Sequence, residues 1–153
     1  MKNKPILVKY QIKDVKFGLN VKIIEPVNLY ECEIGDNTFI GPFVEIQKNA
    51  RVGRNCKIQS HSFICELVEI GNDCFISHGV MFINDTFSKG GPARGDKSQY
   101  RKTTIEQNVS IGSNSTILPV RIISGTVIGA GSVVTKDINS PGVYAGNPAK
   151  KIG

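Results

Sequence analysis

IGDNTFIGPFVEIQKNARVGRNCKIQSHSFICELVEIGNDCFISHGVMF, residues 34–82, repeats every six residues without a break. Ile34, Ile40, Ile46, Val52, Ile58, Ile64, Ile70, Ile76 and Phe82 hold the large apolar position. Four residues after each comes a small or modest side chain: Thr38, Val44, Ala50, Cys56, Ser62, Val68, Cys74 and Val80. A period of six fits neither an α-helix nor an alternating strand. It marks a solenoid whose units cannot bury their apolar side chains alone. A large residue at position one and a small one at position five fill a narrow three-sided coil. Each side is a short strand, and the turns draw on Gly, Asn and Asp, which tolerate left-handed backbone angles.

Outward from this core the repeat weakens. Phe17, Ile23 and Leu29 precede it, with a five-residue step from Leu29 to Ile34. It resumes at Ile105, Ile111 and Ile117, steps by five to Ile122, and continues to Ile128 and Val134. Residues 18 apart should therefore stack, about 4.8 Å from coil to coil. About six coils give a prism on the order of 30 Å long. Cys56 is expected directly beneath Cys74, both pointing inward as reduced core thiols. Residues 86–103 are polar, carry Gly and Pro, and fall out of phase, so they are expected to leave the prism as a long loop of the kind that is often functional. Coils are expected over about 17–138. The tail, 139–153, is expected to leave the prism because of Pro141, Gly142, Gly146 and Pro148. Residues 1–16 read as a loose strand or an end cap, and the whole chain, 1–153, as one domain.

The chain has 153 residues and a formal charge of +6. It shows no membrane-length apolar run and no leader pattern. With four Cys in no compact motif, the expected compartment is the reducing cytoplasm. The positive charge suits either a solvated basic surface or an anionic, phosphate-bearing substrate. No nucleic-acid-binding motif and no aromatic stripe among basic residues is present, so nucleic acid is not an expected partner.

The hexads resemble the left-handed parallel β-helix acyltransferases, over about residues 17–150. The resemblance implies an all-β fold whose handedness departs from the usual right-handed crossover. Ile128-Gly-Ala-Gly-Ser-Val-Val-Thr-Lys-Asp137 with Ala145-Gly-Asn-Pro-Ala-Lys150 is similar to a segment common among acetyl-CoA-dependent members. Ser77-His-Gly-Val-Met-Phe-Ile-Asn-Asp85 and Gly90-Gly-Pro-Ala-Arg-Gly-Asp96 resemble the branch that N-acetylates 3-amino sugars on a nucleoside diphosphate. That branch implies a homotrimer with active sites between adjacent prisms. It also implies acetyl-CoA as cosubstrate, no metal, no membrane partner, and a product for surface polysaccharide or glycan synthesis. The substrate implied is a dTDP-linked 3-amino-3,6-dideoxyhexose, with a UDP-linked 3-amino-glucuronate as the alternative. Arg94 and Arg101 are candidates for the glucuronate carboxylate.

Amide formation needs a neutral amine, a proton acceptor and donors for the tetrahedral oxyanion. Two histidines exist, His61 and His78. The 18-residue coil puts both at one corner, with His78 over Ser60. Either is a candidate base or a sugar-positioning group, and surface turn histidines are the plain alternative. Asn84 and Asp85 stand where the chain leaves the coil, as sugar-amine contacts or as loop caps. Arg94, Tyr100 and Arg101 in the loop are candidates for the diphosphate or sugar. The resemblance points to Gly112, Ala130, Gly131, Thr135, Lys136, Lys150 and Lys151 for CoA. Three other classes compete: an O-acetyltransferase of the same fold, a non-catalytic scaffold, and a zinc carbonic anhydrase. The last needs three His ligands where this chain has two.

Overall fold

The computed structural model describes residues 4–9 and 11–153. Its strands are mostly two residues long and collect into three sheets of seven, six and eight strands. This is the all-β, parallel left-handed β-helix that the family resemblance implies. Each sheet takes every third strand. The first face runs through Asn28–Tyr30, Glu45–Ile46, Phe63–Ile64, Met81–Phe82, Thr116–Ile117 and Val133–Val134. The second runs through Lys16–Phe17, Glu33–Ile34, Arg51–Val52, Val68–Ile70, Thr103–Ile105 and Arg121–Ile122. The third includes Lys22–Ile23, Phe39–Ile40, Lys57–Ile58, Phe75–Ile76, Ser110–Ile111 and Thr126–Ile128.

The register follows the sequence arithmetic. Ile40 pairs with Ile58 and Ile58 with Ile76, each 18 residues on. Where a five-residue step removes one turn residue the pairing shortens to 17, as in Lys16 with Glu33 and Ile105 with Ile122. The stacked large residues fill the prism: Ile40, Ile46, Ile58, Ile64 and Ile76 are fully buried. Cys56 and Cys74 lie inward as expected, and both are buried free thiols. Their Sγ atoms donate to the Gly71 and Glu106 carbonyls, each at 3.1 Å. Each thiol thus caps a turn carbonyl that a closed, narrow coil would leave unpaired.

The three corners have different chemistry. Between the second and third faces stand Asn20, Asn37, Asn55 and Asp73, all at positive φ. Their side chains hand one hydrogen bond upward per coil at 3.0–3.4 Å. Between the first and second faces the chain leaves the prism after Met81–Phe82 and returns at Thr103–Ile105. The expected loop is therefore present, except that Thr103 is a buried strand residue. The third corner carries both histidines.

One expectation is overturned. The tail does not leave the prism. Gly142–Ala145 adds a parallel strand to the third face, pairing Val127 with Val143, and Lys150–Lys151 folds back antiparallel against it. Pro141 stands just before the strand, where a missing N–H costs no ladder bond, and the sheet end tolerates the glycines. At the other end Ile12–Lys13 pairs with Asn28–Tyr30, the loose strand the sequence allowed.

Candidate active site

The corner between the third and first faces forms a ridge of turn residues. Backbone bonds fix its stacking: His61 N–H donates to the Pro42 carbonyl, Gly79 to Ser60, Asn114 to His78 and Gly131 to Ser113. Pro42, Ser60, His78, Ser113 and Ala130 thus form one column. Phe43, His61, Gly79, Asn114 and Gly131 form the column beside it. Ser60 Oγ lies 2.8 Å from His78 Nδ1. This is the geometry expected from counting back one coil from His78. The hydroxyl engages one ring nitrogen and orients the imidazole; Nε2 is the nitrogen left to act. His61 is used differently. Its ring stacks on Phe43, with centroids 4.8 Å apart and planes inclined by 28°. Both histidines are exposed. Next to them Ser77 Oγ and Ser113 Oγ are 2.9 Å apart.

The candidates for CoA split between this ridge and the C-terminal end of the prism. Gly112, Ala130 and Gly131 continue the histidine ridge. The amides of Gly112 and Gly131 already donate to Ile128 and Ser113, so those two N–H groups are occupied by the coil ladder. A side chain at Gly131 would meet open space. Thr135, Lys136 and Lys150 come together around a cleft of about 280 Å³ with Tyr144 and Pro148. Lys151 is on the neighbouring strand position, its Nζ 3.5 Å from Ser140 Oγ.

Within one chain Asn84 and Asp85 are not beside the histidines. They stand at the opposite end of the Met81–Phe82 side, where the loop departs. Asn84 Nδ2 donates to the Glu66 carbonyl at 3.1 Å, and Asp85 accepts from the Phe87 and Ala93 amides at 3.0 and 2.7 Å. Both side chains therefore shape the loop, the capping reading of these positions. Asp96 caps the short turn Lys97–Gln99, accepting from Ser98 and Gln99. These bonds, Ser98 Oγ–H foremost, hold its carboxyl down at about 2. Arg94 and Arg101 are exposed, Tyr100 half-buried. The loop is also tied to the corner it leaves from: Lys97 Nζ bonds both carboxylate oxygens of Glu66, a turn residue between Phe63–Ile64 and Val68–Ile70, at 3.2 and 3.1 Å.

A larger concavity than the C-terminal cleft, about 790 Å³, is elsewhere. It runs along the second face past Gly18, Gly35, Gly53 and Gly71, under an alternating ladder of Lys16, Glu33, Arg51 and Glu69. Lys16 and Arg51 both pair with Glu33, and Glu69 pairs with Lys102. No imidazole lines the groove, so it lacks the candidate base. Among the described residues no three His, Cys, Asp or Glu side chains cluster as metal ligands. Among the described residues no helix is long and apolar enough to cross a membrane.

Sequence reasoning missed the pairing of Phe43 with His61. Its signal was available, since the two are 18 residues apart at the same turn position.

Comparison with known proteins fits this picture. The family model for the bacterial transferase hexapeptide (six repeats) matches residues 31–66, and that for the hexapeptide repeat of succinyl-transferase matches residues 102–136. The two flank the extruded loop. The bifunctional protein GlmU of Wigglesworthia glossinidia brevipalpis is 39% identical over 110 residues, covering 71% of this chain. GlmU of Clostridium botulinum is 35% identical over 109 residues, covering 71%. The chain spans only 21% of the length of these curated relatives. Among solved structures, the N-acyltransferase AntD from Bacillus cereus, in complex with dTDP and 3-hydroxybutyryl-CoA, superimposes with a TM-score of 0.79 at 27% identity. The match covers 88% of this chain and 80% of that one. A variant of AntD holding dTDP-4-amino-4,6-dideoxyglucose and coenzyme A matches at 26% identity, with a TM-score of 0.56 over 90% of this chain and 81% of that one.

Proposed function

We propose that this chain, which belongs to the hexapeptide-repeat acyltransferases, is an acetyl-CoA-dependent N-acetyltransferase acting on a nucleotide-linked amino sugar. The acceptor we favour is the 3-amino group of a dTDP-linked 3-amino-3,6-dideoxyhexose. The observation that carries the reading is the Ser60–His78 pair on an exposed ridge that continues into the glycine-bearing turns of Gly112 and Gly131. In the tautomer this reaction uses, Nδ1–H of His78 donates to Ser60 Oγ and the Nε2 lone pair is free. The neutral amine attacks the thioester carbon, Nε2 takes the amine proton, and the carbonyl oxygen becomes an oxyanion. Collapse expels the CoA thiolate, which recovers the proton from the imidazolium. One C–N bond forms and one C–S bond breaks. Such base assistance contributes about 10²- to 10⁴-fold.

Assembly belongs to the same proposal. Outward apolar residues sit on the two faces flanking the histidine ridge: Phe63, Met81 and Val133 on one, Phe39, Phe75, Val127 and Val143 on the other. The second face instead carries the charged ladder. A homotrimer that covers the apolar faces puts the ridge at the seam. There the neighbouring copy's loop, with Asn84, Asp85, Arg94, Tyr100 and Arg101, reaches the acceptor. Thr135, Lys136, Lys150 and Lys151 then take the phosphates of CoA at the far end. The reading makes the protein cytoplasmic and its product a building block for surface polysaccharide or glycan. A second acceptor position, the 4-amino group, is favoured by the AntD complex with a 4-amino sugar.

The test is release of CoA thiol from acetyl-CoA against dTDP- and UDP-linked 3-amino and 4-amino sugars. Amine-dependent release is expected. Release only with hydroxyl acceptors moves the reaction to O-acetylation. A protein that binds no acetyl-CoA is a scaffold.

A further inference from the structure

The ridge position that takes φ near +60° is filled by Gly79, Asn114 and Gly131 on the later coils, residues suited to it. On the earlier coils it is filled by His61 (φ 63°) and Phe43 (φ 61°). A bulky aromatic in the left-handed region is an outlier. Burial does not compensate for it, since Phe43 is 57% exposed. Strain held on an exposed side chain points to a ligand. Phe43 and His61 stack into an exposed two-ring platform one residue from Ser60. It is separated from the glycine-bearing turns of the ridge by His78. The third face, on its flank, presents Lys22 and Lys57 beside Phe39 and Phe75, and none of these outward residues is acidic.

We infer that the Phe43–His61 platform is the shelf on which the planar base of a nucleoside diphosphate stacks, on the acceptor side of His78. The inference rests on the nucleotide-sugar reading above. Two planar bases are available to such a site, the pyrimidine of the acceptor and the adenine of CoA. The order along the ridge favours the pyrimidine. Gly112 and Gly131 lie on the C-terminal side of His78 and Phe43 on the N-terminal side, about 10 Å away at two coil spacings. The sugar and diphosphate span that interval, with Lys57 supplying positive potential.

Calorimetric titration with dTDP, UDP and CoA tests it on the wild type and on Phe43→Asn and Phe43→Leu. Asn fits the left-handed turn, so Phe43→Asn should melt at the same temperature or higher. Loss of base stacking should weaken dTDP or UDP binding about 5- to 100-fold in both variants, with CoA binding unchanged. Unchanged dTDP and UDP affinity in both variants overturns the platform. So does a loss confined to CoA, which would make it an adenine shelf. Lost assembly in Phe43→Asn, with nucleotide affinity intact, would make Phe43 a subunit contact instead. A wild-type protein that binds neither dTDP nor UDP overturns the nucleotide-sugar reading itself, and the platform with it.

Discussion

Gly53 and Gly131 should respond to the same substitution in opposite ways. A Cβ built on Gly53 lies 2.7 Å from both the carbonyl carbon and oxygen of Gly71 on the next coil, and 2.5 Å from Asn72 Oδ1. Ordinary contact begins at 3.4 Å, so Gly53→Ala must push the coils about 0.7 Å apart locally. The Gly53 N–H to Ile70 carbonyl bond, 2.8 Å, spans the same gap and stretches with it. Overpacking costs about 1–3 kcal/mol and a weakened buried hydrogen bond about 1 kcal/mol more. The expected loss is therefore about 2–4 kcal/mol, read as a lower denaturant midpoint at unchanged slope. A Cβ on Gly131 meets nothing within 4 Å; only its φ of +68° opposes a side chain, at a cost of about 1–2 kcal/mol. Function should divide the other way. Gly53 borders the charged groove of the second face, so Gly53→Ala should keep full turnover per folded molecule. Gly131→Ala should raise the KM for acetyl-CoA. A Gly53→Ala protein within about 0.5 kcal/mol of wild type, the scatter of an ordinary surface substitution, refutes the packing argument. A Gly131→Ala protein with unchanged KM removes that turn from the CoA track.

Other outcomes follow from the same geometry. Ser60→Ala should lower kcat about 10-fold with little change in either KM, because His78 loses its orienting bond; an unchanged kcat would make the serine merely structural. Asn84→Ala should weaken the amino-sugar interaction more than CoA binding, and an unchanged amino-sugar KM and kcat would leave Asn84 as a loop cap alone. Burial pushes the Cys32 thiol to about 11 and that of Cys65 to about 12. Both should resist alkylation near pH 8 until the chain unfolds; fast labelling of the native protein contradicts their burial. Asp96 titrates at about 2 in the closed loop, against an ordinary value near 3.9. The open loop therefore binds the proton more tightly. Loop closure is supported above about pH 4 and loses that support as the pH falls from there toward about 2. Amide protection at Ser98 and Gln99, taken relative to the intrinsic exchange rate at each pH, should fall in that window, and constant protection would count against the Asp96 cap.

Much of this was legible from residue types alone. The hexads from Ile34 to Phe82 fix the coil, and the five-residue steps at Leu29–Ile34 and Ile117–Ile122 reappear as 17-residue registers. The Ser60–His78 pair is readable because a fixed period turns sequence distance into spatial distance. What resisted reading depends on contacts that the period does not specify. Pro141 and Gly146 signal a break, yet Gly142–Ala145 pairs with Thr126–Ile128 because a sheet end needs only one partner. The bonds of Asp85 depend on Ala93 returning to it through an aperiodic loop. Phe43 looked like one more turn residue; its φ and exposure, which Phe87 shares, single it out only together with the His61 ring stacked on it.

The central claim is that the His78 ridge makes an amide on a nucleotide sugar. The most direct measurement is the product mass from acetyl-CoA and a dTDP-linked 3-amino-3,6-dideoxyhexose, taken at matched times for wild type and a folded His78→Ala protein. The account predicts the gain of one acetyl group with wild type and a rate lower by about 10²-fold or more without the imidazole. Equal product from His78→Ala, or no acetylated sugar from wild type, would contradict it.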